Sequence, residues 1–453
     1  MLKKHFVTDK RFIMSIIAIA VPVALQNMIS FGVNMMDSLM LGRLGNQAIS
    51  AASLGGRPFF LMMIFGFGLA SGGSVLIAQY WGKGDMPKIH RLITISLQLV
   101  TVVSLIFTVG CFLFPAQIIR VFTPDTALIK ASVQYLKPLS ISFFFYAFAN
   151  CYMMSLRAVE KVKLSTYVYG ISFFINVFFD YCLIFGKFGM PELGISGAAV
   201  GTVIARLSEF LMVMFYMHFR EKLVNFRMKD LFKFNTTLLG DYMRHSLPVV
   251  GNELFWGLGS LAVSVIIGHI GEAFVTANSI ADVMNQLTSV AVFGLANAAA
   301  VLTGKTIGEG RKKDAQKTAN TILALTAFVG LCGSVVLLLL RGPILTLYNV
   351  TPEAREITMS LLTVLALLQL PLALDLTTIV GVLRGGGDTK FAFLIDCGCL
   401  WGFAVPIGAI GGLVLGLPPA LTYVLLRGDT ILKCIFGLVR TFSGKWVKDL
   451  THK

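Results

Sequence analysis

The sequence predicts an all-α polytopic membrane protein with about twelve transmembrane helices, arranged as two six-helix repeats. Three observations support this class: a low content of charged residues, apolar segments of spanning length, and an internal repeat. Of the 453 residues, 56% are hydrophobic and 13% are charged, whereas soluble domains carry about 25% charged residues. This composition excludes a soluble enzyme built around a large core.

The apolar segments are long enough to cross a bilayer, since a spanning helix needs roughly 20 apolar residues. They lack the alternation of polar and apolar residues that is typical of membrane β-barrels. The first segment continues past Ala20, which favours a retained helix over a cleaved signal peptide. The segments fall near 13–36, 57–79, 93–114, 133–155, 165–186, 195–217, 246–268, 277–301, 319–340, 358–382, 391–411 and 417–438.

Basic residues alternate between the loops on the two sides of these segments, as the positive-inside rule describes for membrane proteins. The side that is rich in lysine and arginine includes both termini and the long loop from 218 to 245. This pattern predicts that both termini are cytoplasmic. The basic residues near the amino terminus are Lys3, Lys4, Lys10 and Arg11.

The two halves of the chain are related as a repeat. When the first half is shifted onto the second so that Pro22 matches Pro248, Gly82 matches Gly308 without a gap between them. An even number of helices in each half gives both halves the same orientation in the membrane. The predicted domains are therefore an amino-terminal lobe at 1–217, a cytoplasmic linker at 218–245 and a carboxy-terminal lobe at 246–453.

Two carboxylates lie inside predicted helices of the first half, at matching depths. Asp37 precedes Arg43 by six residues, and Asp180 precedes Lys187 by seven. At a helical rise of about 1.5 Å per residue, both acids lie roughly 10 Å below the outer ends of their helices. An ionised carboxylate in hydrocarbon costs about 2.5–3.5 kcal/mol, so it normally faces a protein interior or a watery cavity.

Two neutral oxygen donors lie near these acids. Asn176 precedes Asp180 by four residues and shares its helix face, while Thr202 lies at a slightly greater depth on the next helix. Carboxylate, amide and hydroxyl oxygens are hard donors that suit Na⁺ or a shared proton. The sequence therefore predicts a cation site, which is a metal site if the ion is Na⁺, formed by Asp37, Asn176, Asp180 and Thr202.

An alternative is that Asp37 and Asp180 only hydrogen-bond neighbouring helices together. The sequence shows no cationic partner near either acid, and two unpaired acids are a costly way to join helices in hydrocarbon. The cation site is therefore the favoured interpretation.

The second half has its own intramembrane acids. Glu253 lies nine residues after Arg244, and Asp375 lies nine residues before Arg384, so both are roughly 14 Å from the inner ends of their helices. Glu253 and Asp375 are candidate substrate-binding residues, with Gln26 as a third, and a buried packing role is the open alternative for Glu253.

Other charges inside the helices have spacings that predict ion pairs on one helix face. The predicted pairs are Arg206 with Glu209 and Asp429 with Lys433. The sequence gives no evident partner for Asp282, Asp396 or Arg427.

No motif for an enzyme or a nucleotide-binding protein is present. Gly304-Lys305-Thr306 resembles the end of a phosphate-binding loop, but Ala299 stands where that loop needs glycine. No cysteine pair has the spacing of a zinc site. We therefore predict a protein that is not an enzyme, needs no cofactor, binds no nucleic acid and takes its energy from an ion gradient.

Four stretches resemble the multidrug and toxic compound extrusion (MATE) family, and the resemblance extends over nearly the whole chain. They are PVALQNMISFGVNMMDSLMLGRLG, FGFGLASGGSVLIAQYWGKGD, NVFFDYCLIFGKFGMPELGISGAAVGTV and GVLRGGGDTK. The resemblance implies a V-shaped, two-lobed transporter in the plasma membrane, which is the inner membrane of a bacterial cell. It also implies export of organic, often cationic or amphipathic, compounds by alternating access in exchange for Na⁺ or H⁺, by a monomer.

The resemblance also carries over to individual residues. Family members place their amino-lobe cation site on residues that match Asp37, Asn176, Asp180 and Thr202, and some carry an acid that matches Glu253. Asp375 lies about two positions from the corresponding tenth-helix acid of those members, which turns it to a different face. Two other functions stay open: a flippase for lipid-linked oligosaccharides, which needs a basic cavity, and an intramembrane enzyme, for which no motif is present.

Overall fold

The structure is a computed structural model that describes residues 6–7, 9–233, 236–346, 348 and 350–451, and those residues contain helices and no strand. The predicted cytoplasmic residues Lys3 and Lys4 lie outside the described residues. We number the α-helices along the chain as α1 (Lys10–Gly42), α2 (Asn46–Gly55), α3 (Arg57–Lys83), α4 (Met86–Leu113), α5 (Pro115–Arg120), α6 (Thr126–Ser140), α7 (Ser142–Ala158), α8 (Lys163–Phe185), α9 (Ile195–Phe215), α10 (Leu239–Ile270), α11 (Glu272–Gly308), α12 (Lys312–Leu345), α13 (Pro352–Leu376), α14 (Thr389–Cys399), α15 (Val405–Ala409), α16 (Pro419–Arg427) and α17 (Asp429–Phe442).

Five segments of the described chain have other helical turns, four of them π-helical and one 3₁₀. A π-helical segment at Tyr216–Arg220 extends α9, and another at Thr377–Leu383 extends α13. Leu400–Ala404 joins α14 to α15, and Ile410–Val414 follows α15. A short 3₁₀ helix, Met228–Phe232, lies in the loop before α10.

Ten helical segments of the described chain are long and apolar enough to cross a membrane, and α6 with α7, which meet at a bend of 47°, provide an eleventh. The twelfth predicted segment, near 417–438, consists of two shorter helices, α16 and α17, that meet at Gly428. It differs from the ten long segments because it is divided into helices of 9 and 14 residues. The predicted all-α, polytopic class is confirmed.

The chain divides into two compact units. The first contains the residues up to Ala24, Ala78–Gly84 and the chain from Leu247 onward, and the second contains Leu25–Ile77 and Asp85–Ser246. Helices α1, α3 and α10 therefore contribute residues to both units. The predicted division at 217 and 246 is a division of the sequence and stays a prediction.

A reciprocal contact inside the first unit reflects the repeat. A Cβ atom built on Gly82 would lie 2.0 Å from the carbonyl oxygen of Lys305, and one built on Gly308 would lie 1.8 Å from that of Gln79. The two glycines are matched repeat positions, and so are the two residues that provide the carbonyls. The two helices thus approach through glycine at equivalent positions, and a side chain in either place would push their backbones apart.

We expect Gly308→Ala to destabilise the protein by about 1–3 kcal/mol, because the added methyl group overpacks a contact with backbone atoms. The measurement is thermal unfolding of the purified protein in detergent. Gly398→Ala is the matched control, since its Cβ would meet nothing within 4 Å. Equal midpoints for the two variants would contradict this account of the glycine contact.

Candidate functional site

The second unit contains a cavity of about 110 Å³. Its apolar wall includes Phe59 from α3 and Leu139 from α6. Its polar lining combines acidic, basic and neutral side chains from α1, α6, α8 and α9. The polar lining residues are Asn34, Asp37, Tyr135, Ser172, Asn176, Thr202 and Arg206.

Asp37 of α1 lines this cavity, and Asp180 of α8 lies next to Asp37 but is buried behind the lining residues and does not itself line the cavity. Their carboxyl groups are close enough for a protonated one to donate a hydrogen bond to the other. Asp180 is fully buried, and its Oδ2 accepts a hydrogen bond of 3.1 Å from the Asn176 amide. The structure therefore brings together the two acids that the sequence placed at matching depths.

Three buried oxygen atoms here accept no hydrogen bond from the described residues: Oδ1 of Asp37, Oδ1 of Asn176 and Oδ1 of Asp180. Buried acceptors without a donor are costly, and native structures contain few of them. Such atoms are suited to a proton or a cation, which supplies the missing positive charge.

Helix α9 completes this side of the cavity. A Cβ atom built on Gly201 would lie 1.9 Å from Oδ1 of Asp180, so only glycine leaves room for the carboxylate. The next residue, Thr202, lines the cavity and donates its hydroxyl hydrogen to the carbonyl oxygen of Ala198 at 3.0 Å. Because that hydroxyl donates to the backbone, its lone pairs remain available as acceptors.

The sequence predicted no cationic partner near either acid, and this prediction was wrong. Arg206 lines the same cavity and is near enough to Asp37 to attract its charge. Its guanidinium donates to Glu209 at 2.7 Å, as the spacing predicted, and lies 4.9 Å from the ring centroid of Tyr146. Glu209 also accepts a hydrogen bond of 2.7 Å from Ser172. The guanidinium of Arg206 therefore interacts with two carboxyl groups, those of Glu209 and Asp37, and Asp180 adds a third acid beside Asp37.

Gln26 is buried in the same unit but does not line this cavity. Its side-chain oxygen accepts a hydrogen bond of 3.0 Å from Arg157, and its amide donates to Thr166 at 3.2 Å. The contacts in the structure are thus with other side chains of the unit. Its assignment to substrate binding stays a prediction.

Glu253 has a similar arrangement in the other unit. It forms an ion pair of 2.8 Å with Arg384, whose side chain is only 3% exposed. Arg157 and Arg384 are matched repeat positions, but Gln26 and Glu253 are not, because the gap-free shift that matches Pro22 with Pro248 aligns Glu253 with Asn27. Each arginine therefore bonds a side-chain oxygen from the first helix of its half, at positions that differ by one residue, and the oxygen belongs to an amide in one half and to a carboxylate in the other.

Asp375 lies within electrostatic range of a second ionic group in that unit. Lys433 forms ion pairs with Asp396 at 2.6 Å and with Asp429, as its spacing predicted, at 2.7 Å. The Asn252 amide also donates to Asp396 at 2.7 Å. Asp375 differs from these acids because its buried Oδ1 accepts no hydrogen bond from the described residues.

The structure also gives Arg427 a partner, since its guanidinium contacts Asp282 at 2.9 Å. Sequence reasoning missed this pair, the Asp396–Lys433 pair and the place of Arg206 in the cavity. Asp282 and Arg427 are far apart in the sequence, so no helical spacing signals their contact. Within the described residues, no group of three or more histidine, cysteine or acidic side chains has the arrangement of a metal site.

A comparison with family models identifies the family to which this fold belongs. The MatE family model matches residues 22–182 and 248–410. The chain belongs to the MatE family. The two matched segments begin at the repeat-related residues Pro22 and Pro248, so the family model finds the same two halves. A member of this family is a transporter and not an enzyme, and this chain is therefore a multi-pass membrane transporter of small molecules.

Several proteins of similar length are similar in sequence to this MatE-family chain. The probable multidrug resistance protein NorM of Thermotoga maritima is 24% identical over 96% of this chain and 93% of its own. The multidrug resistance protein PmpM of Pseudomonas aeruginosa is 26% identical over 88% and 83% of the two chains. The multidrug resistance protein MdtK of Yersinia enterocolitica is 25% identical over 90% and 89%.

Solved structures share the fold of this MatE-family chain. A crystal structure of a MATE protein in the bent conformation matches with a TM-score of 0.85 at 17% identity, covering 95% of this chain and 96% of that one. A mutant of the Vibrio cholerae MATE transporter VcmN matches with a TM-score of 0.88 at 16% identity, covering 98% and 99%. The suspected family and the predicted fold class are both confirmed.

We expect Glu253→Gln to leave the protein folded, because Gln26 shows that a glutamine oxygen can accept from the equivalent arginine. Glu253→Leu should cost about 3–5 kcal/mol, because it leaves the buried Arg384 charge without a partner. Thermal unfolding of the two variants in detergent measures the difference. A Glu253→Gln variant as unstable as Glu253→Leu would contradict this expectation and show that Arg384 needs a negatively charged partner.

Proposed function

We propose that this transporter exports organic compounds, cationic or amphipathic, in exchange for Na⁺ or H⁺ by alternating access. The observation that carries the proposal is the facing pair of Asp37 and Asp180, with its buried, unpartnered oxygens. The relatives are named as multidrug resistance proteins, which supports drug-like organic substrates. The acid pair supports an ion gradient as the energy source.

The distribution of basic partners supports the placement of the coupling ion. In the first unit most intramembrane acids have a basic side chain within ion-pair distance, and Asp375 lacks one. In the second unit Glu209 holds the guanidinium of Arg206, which leaves Asp37 and Asp180 without an ion pair of their own. The acids of the first unit with such partners are Glu253, Asp282, Asp396 and Asp429.

An incoming ion would neutralise the acid pair and so remove a repulsion that is strong in a low-dielectric interior. Loss of that repulsion lets α1 and α8 pack differently and changes the relative stability of two transporter conformations. Coupling then requires that the ion and the substrate favour opposite conformations. Related MATE structures described as bent and straight both match this fold, with TM-scores of 0.85 and 0.84.

The oxygen donors suit either coupling ion. For Na⁺, the ligands we propose are Asp37, Asn176, Asp180 and Thr202, which are all hard oxygen donors. For H⁺, two facing carboxyl groups share a proton because both cannot remain ionised at short distance. Efflux under separately imposed Na⁺ and pH gradients distinguishes the two ions.

Glu253, Asp375 and Gln26 remain our predicted substrate-binding residues. Asp375 has the strongest support of the three, since its buried Oδ1 accepts no hydrogen bond from the described residues. Glu253 and Gln26 are each already bonded to an arginine.

We also propose that the protein is a plasma-membrane monomer with both termini in the cytoplasm.

The flippase function has less support. A lipid-linked oligosaccharide carries a pyrophosphate, whose recognition favours several arginines. Among the described residues that line the cavity, Arg206 is the one basic residue, and it is paired with Glu209. This charge pattern favours positively charged ligands.

We expect Asp37→Asn and Asp180→Asn each to reduce gradient-driven efflux about tenfold or more, because each removes the group that the ion neutralises. The measurement is dye efflux from vesicles that contain the purified protein, with Na⁺ and pH gradients imposed separately. Asp125→Asn is the matched control, since Asp125 caps α6 in an exposed loop and asparagine caps equally well. Full gradient-driven efflux by both folded acid variants would refute the mechanism.

A further inference from the structure

A polar stripe follows one face of α11 in the first unit. Asn278, Asp282, Gln286 and Ser289 occur at intervals of three or four residues, so they share one side of the helix. Helix α11 is long and apolar enough to span a membrane. Polar and charged side chains of a spanning helix avoid lipid, so this face of α11 meets polar groups of the protein, water or a polar ligand.

The centre of the stripe is the ion pair between Asp282 and Arg427 of α16. The Arg427 guanidinium contacts Oδ1 of Asp282 at 2.9 Å, and the Asn278 amide donates to Oδ2 at 2.9 Å. The side chains remain 41% exposed at Asp282 and 28% exposed at Arg427. By contrast, Arg384 in the pair with Glu253 is 3% exposed. The Asp282–Arg427 pair is therefore accessible, whereas the Glu253–Arg384 pair is built into the packing.

Unused hydrogen-bonding groups of both kinds surround this pair. Nε of Arg427 is a buried donor, and Oδ1 of Asn278 a buried acceptor, that find no partner among the described residues. Gln286, one turn from Asp282, is exposed. Tyr423 places its ring 5.6 Å from the guanidinium, and the side chain of Val424 is exposed one turn before Arg427. The site thus combines free donors, free acceptors and apolar surface.

The acid pair and this site contain similar parts in different combinations. In each, an asparagine donates to the aspartate four residues further on, and an arginine lies against a tyrosine ring. At the cavity, the arginine is held by Glu209, so the aspartates keep their charge. Here the arginine is held by the aspartate itself. The first arrangement attracts a cation, whereas the second is electrically neutral and offers both signs.

We propose that Asp282 and Arg427, with Asn278 and Gln286, form a recognition site for zwitterionic amphiphiles. Such a compound carries a protonated amine and a carboxylate on an apolar body. Its amine would be accepted by Asp282, and its carboxylate would bind the planar fork of Arg427. This inference rests on the proposed function, because it names a substrate class for the exporter. A simple cation gains less here, since Arg427 already neutralises Asp282.

The test compares two probes with the same body: a xanthene dye with a free carboxylate, which is a zwitterion, and its methyl ester, which is a cation. Their affinities for the purified full-length protein are measured by fluorescence polarisation in detergent. Arg427→Gln should weaken binding of the zwitterion about tenfold or more without weakening the ester. Asp282→Asn should weaken both. An unchanged ratio of the two affinities in both variants would overturn the proposal.

Two further variants keep the test decisive. Arg427→Lys retains the ion pair, and therefore the fold, but lacks the planar fork, so it should still reduce the preference for the zwitterion. Arg311→Gln, in an exposed ion pair with Glu309, is the control and should change neither affinity. A folded Arg427→Lys variant with the parent's preference would overturn the proposal.

Binding is measured without an ion gradient, so it does not depend on coupling. Failure of the proposed function would appear separately, as a parent protein whose efflux of the ester ignores both imposed gradients.

Discussion

The proposed coupling mechanism depends on the repulsion between two carboxyl groups, Asp37 and Asp180, inside a membrane protein. Each is expensive to bury in hydrocarbon without compensation, and they face each other with one buried oxygen apiece left without a donor. The nearby guanidinium of Arg206 is bonded to Glu209. A cation that enters this site would therefore neutralise negative charge that the described side chains leave uncompensated.

The two units differ in whether their buried acids form ion pairs with basic side chains. In the first unit, the ammonium of Lys433 and the guanidinium of Arg384 form ion pairs with intramembrane acids. Such pairs stabilise one packing arrangement, since breaking them leaves an isolated charge. In the second unit the acid pair has no ion pair of its own among the described residues, and we propose that its charge is neutralised by a mobile ion. The ion pairs of the first unit thus stabilise its packing, whereas we propose that the acid pair of the second unit binds the coupling ion.

Much of this could be predicted from the sequence. The length of the apolar segments and the basic residues in alternate loops predicted the membrane-spanning helices. The rise of a helix per residue placed Asp37 and Asp180 at a common depth from the sequence alone. Spacing predicted the pairs of Arg206 with Glu209 and of Lys433 with Asp429, since these lie within one helix. Contacts between distant segments were not predictable, because Asp282 finds Arg427 only after the helices have packed. For the same reason the sequence did not predict that Arg206 lies at the candidate cation site, since a single sequence gives its depth but not the cavity that it lines.

The most direct test of the central claim is a measurement of ions released when a cationic dye binds. The purified protein is equilibrated with radioactive Na⁺ in a weakly buffered solution, and saturating dye is added while Na⁺ and pH are followed. The account predicts release of Na⁺ or protons from the parent protein, and none from the folded Asp37→Asn/Asp180→Asn variant that still binds dye. Equal ion release from both proteins would contradict it.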